Sequence, residues 1–374
     1  MPDNDVERMV RMFRAFAVRE FAGSSPRWEL LSNAIAEAPG LAEPLLSAPE
    51  GQRRAILYFA ATQYLLRGPA QGHPLAAYLP TLGGTREPDA GLVPAFAVFV
   101  RDHGGELAAL CASRTTQTNE ALRAALLRPA FAHADGLVGR PVSLVELGTS
   151  AGLLLIPDRY AYCYGADRYG RPDAPEALTL SCELRGPDRP PHLDRQPAIA
   201  DRVGLDLNPV DATDPAAADW LRACVWPEHV DRLARLDAAL VEVAAAAPRL
   251  VAGDMVTELP AVLSTVDSVP LVFSSNALTY LPDQRRADLV SSLAEVGARR
   301  DLVLVVNEAA QVGLRLFAPD SPPPEPGLSV GTLTVVAWID GRPTVTALAK
   351  TGPHGQWLNW QPVGYPYRPA ASAN

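Results

Sequence analysis

The segment 142–152 places an apolar run directly before a turn of small residues, and this order constrains the fold more than any other part of the chain. The run Val142–Leu147 is typical of a buried strand, and residues 148–152 predict a tight turn. The apolar residues 153–156 then predict the start of a helix. A strand, a glycine turn and a helix in this order are typical of a ligand-binding loop, because small residues let the backbone approach a ligand closely.

The same turn has a second interpretation, because it contains the pattern Gly-x-Ser-x-Gly that presents a nucleophilic serine in α/β-hydrolases. The nucleophile in this chain is Ser150. A hydrolase also needs a histidine and a carboxylate, for which His354 and either Asp254 or Asp320 are downstream candidates. Residues 103–105 match an oxyanion loop poorly, because their neighbours follow a helical pattern.

Glu146 favours the cofactor interpretation over the nucleophile. A hydrolase strand is buried on both faces and is normally apolar at this position. A buried carboxylate needs hydrogen-bond partners, because burying it without them is costly. We therefore expect Glu146 to accept hydrogen bonds from backbone N–H groups of the turn or from a cationic or hydroxylic ligand.

Composition and charge restrict the class of partner. The chain has 374 residues, of which 48% are hydrophobic and 20% charged, as expected of a globular protein. Its net charge of −9 disfavours nucleic acid as a partner, because phosphate binding needs a basic surface. A small-molecule substrate is the expected ligand. The histidines outside position 354 show no metal-binding spacing, so no metal is expected.

The location expected from the sequence is the cytoplasm. The four cysteines are far apart and suggest neither a zinc site nor a disulfide framework. No apolar run approaches the roughly 18 residues of a spanning helix, so no membrane association is expected. The N-terminus also lacks the basic start and apolar core of a signal peptide.

The hydrophobic periodicity predicts two domains. Residues 1–135 follow a helical pattern, and residues 136–374 alternate strands with helices, with an insert at about 158–226. Such alternation predicts an α/β fold with a mostly parallel sheet. Strands are expected at 142–147, 202–207, 249–252, 271–274 and 302–306, a further one at 178–184, and a helix at 230–247. A hairpin of residues 333–339 and 343–349, joined by Asp340-Gly341, closes the sheet. The proline-rich run 319–326 predicts a surface loop.

The pattern Glu146, Gly148, Ser150, Gly152 resembles the first motif of class I S-adenosylmethionine-dependent methyltransferases, an acidic residue followed by glycines. Ser150 stands where many members have glycine. The resemblance covers roughly residues 140–349 and implies a Rossmann-like methyltransferase sheet with an antiparallel closing hairpin, beside the all-helical N-terminal domain. The chain also resembles an uncharacterised bacterial family with a helical N-terminal region, through residues 117–120, 158–160, 225–228 and 353–355.

Later segments extend the methyltransferase resemblance. Residues 252–254 are similar to the motif whose acid contacts the adenine amine, and residues 273–281 to the fourth strand and its loop. Asp206 resembles the ribose-binding acid. The resemblance implies S-adenosylmethionine as cofactor, contacted by Glu146, Gly148, Thr149, Ser150, Gly152, Asp206, Asp254, Met255, Ser275 and Asn276.

The predicted function is methyl transfer from S-adenosylmethionine to a small-molecule acceptor; the alternatives are a serine hydrolase using Ser150 and a non-catalytic protein that retains the fold. Candidate general bases are Glu308, His354 and Tyr160. Glu308 could instead cap the next helix. Tyr160 could instead be a structural strand residue that alternates with Tyr162 and Tyr164. Candidate substrate-binding residues are Arg114, Gln117, Asn119, Glu120, Tyr280 and Trp357. If the segment 114–123 is a helix, Asn119 and Arg123 lie on the same face and could bind a polar substrate together. In the alternative interpretation these polar residues only form the capped start of a helix, with Thr116 or Thr118 as the N-cap.

Overall fold

The computed structural model describes residues 3–323 and 331–369. The described α-helices are α1 (Asp3–Phe16), α2 (Pro26–Glu37), α3 (Ala55–Arg67), α4 (Leu92–Ser113), α5 (Ala124–Val138), α6 (Pro215–Ala223), α7 (Val230–Ala246), α8 (Leu259–Ser264), α9 (Asp283–Gly297) and α10 (Leu314–Phe317). None of them is long and apolar enough to cross a membrane.

The described strands form a large sheet and a small one. They are β1 (Val142–Leu147), β2 (Ala161–Tyr164), β3 (Asp167–Gly170), β4 (Thr179–Ser181), β5 (Glu183–Arg185), β6 (Ile199–Asp206), β7 (Arg249–Ala252), β8 (Val269–Ser275), β9 (Leu302–Ala309), β10 (Gly331–Ile339), β11 (Arg342–Thr351) and β12 (Trp357–Tyr365). The large sheet has the order β5-β12-β11-β10-β9-β8-β1-β6-β7, and the small one β3-β2-β4.

The chain divides into two compact units that are not continuous in sequence. The helical unit is Met1–Asn119 with Thr213–Asp237, and the sheet unit is Glu120–Ala212 with Ala238–Asn374. Residues 213–237 therefore group with the N-terminal helices, and residues 120–135 group with the sheet.

The helical unit is built around aromatic side chains. Trp28 and Phe59 stack with ring centroids 4.3 Å apart, and both are buried. The buried amide of Gln63 donates to the carbonyls of Ala223 at 2.9 Å and Val225 at 2.6 Å, which ties residues 213–237 to α3. Residues 3–138 contain no strand, so the predicted helical character of the N-terminal region is confirmed.

The sheet unit confirms an α/β fold with a mostly parallel sheet. Strands β7, β6, β1, β8 and β9 are neighbours in that order and all parallel. Every residue of β1 is buried, as its apolar sequence predicts. Along the chain, β6 and β7 are added on one side of β1, and β8, β9 and β10 are then added on its other side. The strand order therefore reverses between β1 and β8. Ligands of open α/β sheets bind at such a reversal point.

The closing hairpin is confirmed, but the sheet continues beyond it. Asp340 and Gly341 both have positive φ, +50° and +71°, as a primed two-residue turn requires. Strand β10 pairs antiparallel with β9, and the unpredicted strand β12 pairs with β11. The expected strand at 178–184 is wrong as a single element, because β4 belongs to the small sheet and β5 to the edge of the large one. Residues 319–323 form a turn and loop, and the rest of the proline-rich run lies outside the described residues.

The helix expected after the glycine turn is also wrong. Residues Leu153–Leu155 and Pro157–Arg159 form two short 3-10 turns instead. Proline lacks an N–H, and it disfavours the helical conformation of the residue before it. The carbonyls of Leu153 and Leu155 accept side-chain hydrogen bonds, from the Tyr160 hydroxyl at 2.7 Å and from Arg202 at 2.6 Å.

The loops after β1 and β8 touch at Gly148, which has a φ of +79°. A Cβ there would lie 2.3 Å from the Cβ of Ala277. We predict that Gly148→Ala lowers the free energy of unfolding by clearly more than Gly139→Ala. Gly139 also has a positive φ, +63°, but nothing lies within 4 Å of its added Cβ, so its substitution costs only the backbone strain of about 1–2 kcal/mol. Urea unfolding measures both values, and equal losses would contradict this contact.

Candidate functional site

The carboxyl ends of the five parallel strands bring several predicted residues to one edge of the sheet, which we call the carboxyl edge. Glu146 lies near the end of β1, Asp206 ends β6, and Asp254 follows β7. Asn276 follows β8, and Glu308 lies near the end of β9. Residues from strands far apart in the sequence therefore line one edge, as predicted for an open α/β sheet.

The glycine turn is tied to the end of β6. The backbone N–H groups of Gly148 and Thr149 donate to the carbonyl of Leu205 at 2.8 and 3.2 Å, and that of Ser150 donates to the Asp206 carboxylate at 2.8 Å. Gly148, Ser150 and Gly152 all have positive φ. Glycine adopts this conformation without strain, whereas serine does not.

Glu146 is 3% exposed and accepts a hydrogen bond from the Thr149 hydroxyl at 2.7 Å. The predicted donors were backbone N–H groups of the turn or a ligand, but the N–H groups of Gly148, Thr149 and Ser150 donate to Leu205 and Asp206 instead. Burial raises the pKa of Glu146 to about 8, helped by the negative charge of Asp206 and opposed by the Thr149 hydrogen bond and by Arg123. Glu146 is therefore a mostly neutral carboxylic acid at pH 7.

Glu308 is 1% exposed, and its two oxygens differ. Oε1 accepts hydrogen bonds from the N–H groups of Ala277 at 2.7 Å and Leu278 at 2.9 Å, and from the Ser274 hydroxyl at 3.1 Å. Oε1 thus binds the N–H groups at the start of the 3-10 turn Leu278–Tyr280, whereas the predicted cap was on the helix that follows Glu308. That helix, α10, has Gly313 at its N-cap and no side-chain cap. Oε2 is buried and has no hydrogen-bond partner among the described residues. Burial raises the pKa of Glu308 although these hydrogen bonds oppose the rise.

Arg123 is the buried cation associated with these acids. Its Nη1 donates to the carbonyl of Ser275 at 3.1 Å, and its charge opposes the rise in pKa that burial causes in both Glu146 and Glu308. Glu120 is also buried, and it accepts a hydrogen bond from the N–H of Leu122 at 3.0 Å. Glu146 and Glu308 are thus two buried carboxyl groups on which the charge of Arg123 acts. Arg123 belongs to the polar cluster within residues 114–123 that the sequence offers for substrate binding, but its position beside these buried acids was not predicted.

The helix expected through residues 114–123 is wrong. Residues 114–120 are not helical, and Glu120 itself caps the 3-10 turn Ala121–Arg123, in place of Thr116 or Thr118. The threonines at 115, 116 and 118 are β-branched and disfavour a helix, which accounts for the break. Arg114, Gln117 and Asn119 belong to the helical unit, where the Arg114 guanidinium lies 5.6 Å from the Trp220 ring centroid.

The two acids predicted to hold adenosine already accept hydrogen bonds from the chain. The Asp206 carboxylate accepts from the N–H groups of Ser150 and Asn208. Asp254 accepts from the N–H groups of Val256 at 2.8 Å and Thr257 at 3.1 Å, and it also pairs with Arg285. Burial acts to raise the pKa of Asp254, but these contacts lower it overall. The side chain of the predicted Met255 lies near the glycine turn, because its Cε is 3.8 Å from the position that a Cβ on Gly148 would take.

Tyr160 is fully buried, and its hydroxyl donates to the carbonyl of Leu153 at 2.7 Å. Burial also raises its pKa well above the usual value, which argues against the predicted role as a base. The hydroxyls of Tyr162 and Tyr164 donate to backbone carbonyls at 2.6 Å as well. The three tyrosines therefore pack as the alternating strand residues that the sequence offered as an alternative.

The remaining predicted residues differ in exposure. Tyr280 is 73% exposed and follows β8. His354 is exposed in the turn Pro353–Gly355, which packs against residues 121–123. Trp357 is half-buried, and the Arg185 guanidinium lies 4.5 Å from its ring centroid. The Ser275 hydroxyl lies 3.4 Å from the amide of Asn307, and Asn276 has a φ of +57°.

The hydrolase alternative finds less support in these contacts. Asp254 pairs with Arg285, and Asp320 pairs with Arg368 at 3.0 Å, so both candidate triad acids are engaged with arginines. Residues 103–105 lie inside α4, as their helical pattern predicts. Within residues 3–323 and 331–369 no group of three or more histidine, cysteine, aspartate or glutamate side chains is arranged to hold a metal ion.

The raised pKa of Glu146 predicts a specific pH dependence of stability. The folded state holds this proton up to about pH 8, whereas the unfolded chain loses it near the ordinary glutamate pKa of 4.5. Stability should therefore fall between those values as pH rises, by an amount on the order of a few kcal/mol. Urea unfolding at pH 5.5 and 8.5 should show a smaller fall in Glu146→Gln but an unchanged fall in Glu183→Gln, whose carboxylate is exposed. Equal pH dependence in wild type and Glu146→Gln would refute the assignment.

Comparison with known proteins identifies the family. Residues 10–360 match the sequence model of a family described as "Uncharacterized protein conserved in bacteria (DUF2332)". No curated protein and no solved structure matches the chain. Because the family match covers most of its length, the chain belongs to the bacterial family DUF2332.

Proposed function

We propose that this protein binds S-adenosylmethionine at the carboxyl edge and transfers the methyl group to a small-molecule acceptor. The observation that carries the proposal is the pair of buried carboxyl groups, Glu146 and Glu308, on the two strands that flank β8. The strand order reverses between β1 and β8, and open α/β sheets bind ligands at such a reversal.

The buried acidic side chains at the carboxyl edge suit a cationic ligand. Glu146 and Glu308 are both buried, and the guanidinium of Arg123 acts on the pKa of each. A positively charged sulfonium offsets part of this excess of acidic groups when it binds. The Oε2 atom of Glu308 is buried without a hydrogen-bond partner among the described residues, and a polar atom in that state costs about 1–3 kcal/mol. A donor group on a ligand removes this cost.

The adenosine part of the cofactor is assigned to the ends of β6 and β7. Asp206 and Asp254 keep acceptor capacity after their backbone contacts, because a carboxylate offers about four lone-pair sites. Leu207 and Tyr280 are 67% and 73% exposed at the carboxyl ends of β6 and β8. Apolar and aromatic surface of this kind suits a flat purine ring.

The glycine turn contributes less than the methyltransferase resemblance implies. The space beside Gly148 is taken by Ala277, and the space beside Gly152 by Pro248 and Leu155. Residues 153–159 form 3-10 turns, so an α-helix N-terminus does not face the ligand from this loop. The proposal therefore assigns recognition of the cofactor chiefly to side chains of the carboxyl edge.

S-adenosylmethionine supplies an electrophilic methyl group on a sulfonium. The protein contributes by holding the donor and the acceptor at near-attack distance in a site from which water is excluded. Glu308 is suited to accept a proton from the acceptor, because Oε1 is fixed by three hydrogen bonds while Oε2 has no hydrogen-bond partner among the described residues. Its raised pKa brings it closer to the range of an effective general base.

We predict that the full chain binds both S-adenosylmethionine and S-adenosylhomocysteine, and that only the affinity for S-adenosylmethionine depends on pH. Glu146 becomes a carboxylate only as pH rises through about 8. Calorimetric affinity for the cationic sulfonium should therefore increase between pH 6.5 and 9, by up to about tenfold, or ~1.4 kcal/mol. Affinity for the uncharged thioether should change little.

The controls for this measurement are Glu146→Gln, which should flatten the pH dependence, and Glu183→Gln, which should leave it as in wild type. Failure of both ligands to bind at any pH would overturn the proposal. A fluorophosphonate probe tests the rival function: labelling of wild type that disappears in Ser150→Ala would support a hydrolase instead. Binding without methyl transfer to any acceptor would support a non-catalytic protein.

A further inference from the structure

A second candidate site lies entirely within the helical unit and does not depend on the proposed methyl transfer. It is a cavity of about 560 Å³ beside the C-terminal end of α3. Arg67, the last residue of α3, lines the cavity together with residues of the turns around Gly72 and Gly83. We call this cavity the Arg67 cavity.

The guanidinium of Arg67 has few partners for its five N–H donors. Its Nη2 donates to the carbonyl of Thr81 at 3.3 Å. Its Nε is buried and has no hydrogen-bond partner in the described part of the chain. Burial lowers the pKa of Arg67, so the surroundings disfavour the charge in the ligand-free protein.

The acidic groups near Arg67 are bound by another arginine. Asp219 lines the cavity, but it accepts a hydrogen bond from Nη1 of Arg222 at 2.9 Å. Asp237 accepts one from Nε of the same arginine at 2.6 Å. Both carboxylates act on the pKa of Arg67 from a distance, and Arg222 opposes them. Arg67 is thus a cation without a direct ion pair among the described residues.

We propose that the Arg67 cavity binds the oxyanion group, carboxylate or phosphate, of a small organic molecule. A guanidinium presents paired N–H donors that match either oxyanion in a two-point contact. Leu66, Leu82, Ala76 and Ala77 line the cavity and give apolar surface for the rest of the ligand.

The cavity wall is held in shape before any ligand binds. The N–H of Gly84 donates to the carbonyl of Leu79 at 3.0 Å, and a Cβ on Gly84 would lie 2.4 Å from the carbonyl oxygen of Ala76. Such close packing limits movement of the wall. A preformed site loses less conformational freedom on binding, which favours affinity for a small ligand.

The test is calorimetric titration of the full chain with benzoate and, separately, with inorganic phosphate. Wild type should bind at least one of them at a single site, and Arg67→Met should weaken that binding at least about tenfold. The matched control is Arg54→Met, because Arg54 is exposed just before the other end of α3. This control should bind like wild type. Arg67→Lys should bind with intermediate affinity, because it retains the charge and loses the paired donors.

Binding of benzoate alone identifies a carboxylate site, binding of phosphate alone a phosphate site, and binding of both the shared oxyanion chemistry. Absence of binding by both probes overturns the proposal, as does equal weakening in Arg54→Met, which indicates non-specific charge attraction.

Melting temperature adds a readout that separates binding from structure. Arg67→Met should melt at or above the wild-type temperature, because it removes a buried donor without an acceptor. A lower melting temperature with unchanged binding assigns Arg67 a structural role. If Arg67→Met does not fold, Arg67→Lys carries the test.

Discussion

The burial of acidic side chains at the ends of parallel strands is the constraint on which the carboxyl edge depends. Glu146 and Glu308 are 3% and 1% exposed, and a carboxylate that loses its water must find other partners. Thr149 supplies one for Glu146, while Ser274 and two backbone N–H groups supply three for Glu308. The loops after β1 and β8 are arranged around these requirements.

Backbone conformation at the carboxyl edge reflects the same requirement. Ser150 and Asn276 have φ values of +49° and +57°, a region that serine rarely adopts and that asparagine tolerates better than most residues other than glycine. The first brings its N–H to Asp206, and the second precedes the two N–H groups that donate to Glu308. Strained residues of this kind persist where the surrounding structure holds them, often at functional sites. The strain at the carboxyl edge is therefore consistent with a binding role.

Local sequence patterns predicted the strands better than the site. The apolar run of β1 and the Asp340-Gly341 turn are local signals, and both were interpreted correctly. Strand β12 was missed because its sequence includes Pro362 and Gly364, which are atypical of strands. The helix after the glycine turn was predicted from apolar residues alone, without weighing Pro157. The contacts that define the site are long-range: Glu308 binds N–H groups about 30 residues away, and Arg123 binds a carbonyl 152 residues away. Hydrophobic periodicity contains no information on such pairs.

The most direct test of this account is the protonation state of Glu146 with and without ligand, measured by infrared difference spectroscopy at pH 6.5. The account predicts a carbonyl band of a protonated carboxyl group in wild type that is missing in Glu146→Gln, because burial holds the pKa at about 8. Saturating S-adenosylmethionine should weaken the band, since the sulfonium stabilises the carboxylate, and S-adenosylhomocysteine should leave it unchanged. A band that is absent from wild type, or that persists unchanged with the cationic ligand bound, would contradict the claim that this acid is kept neutral until a cation arrives.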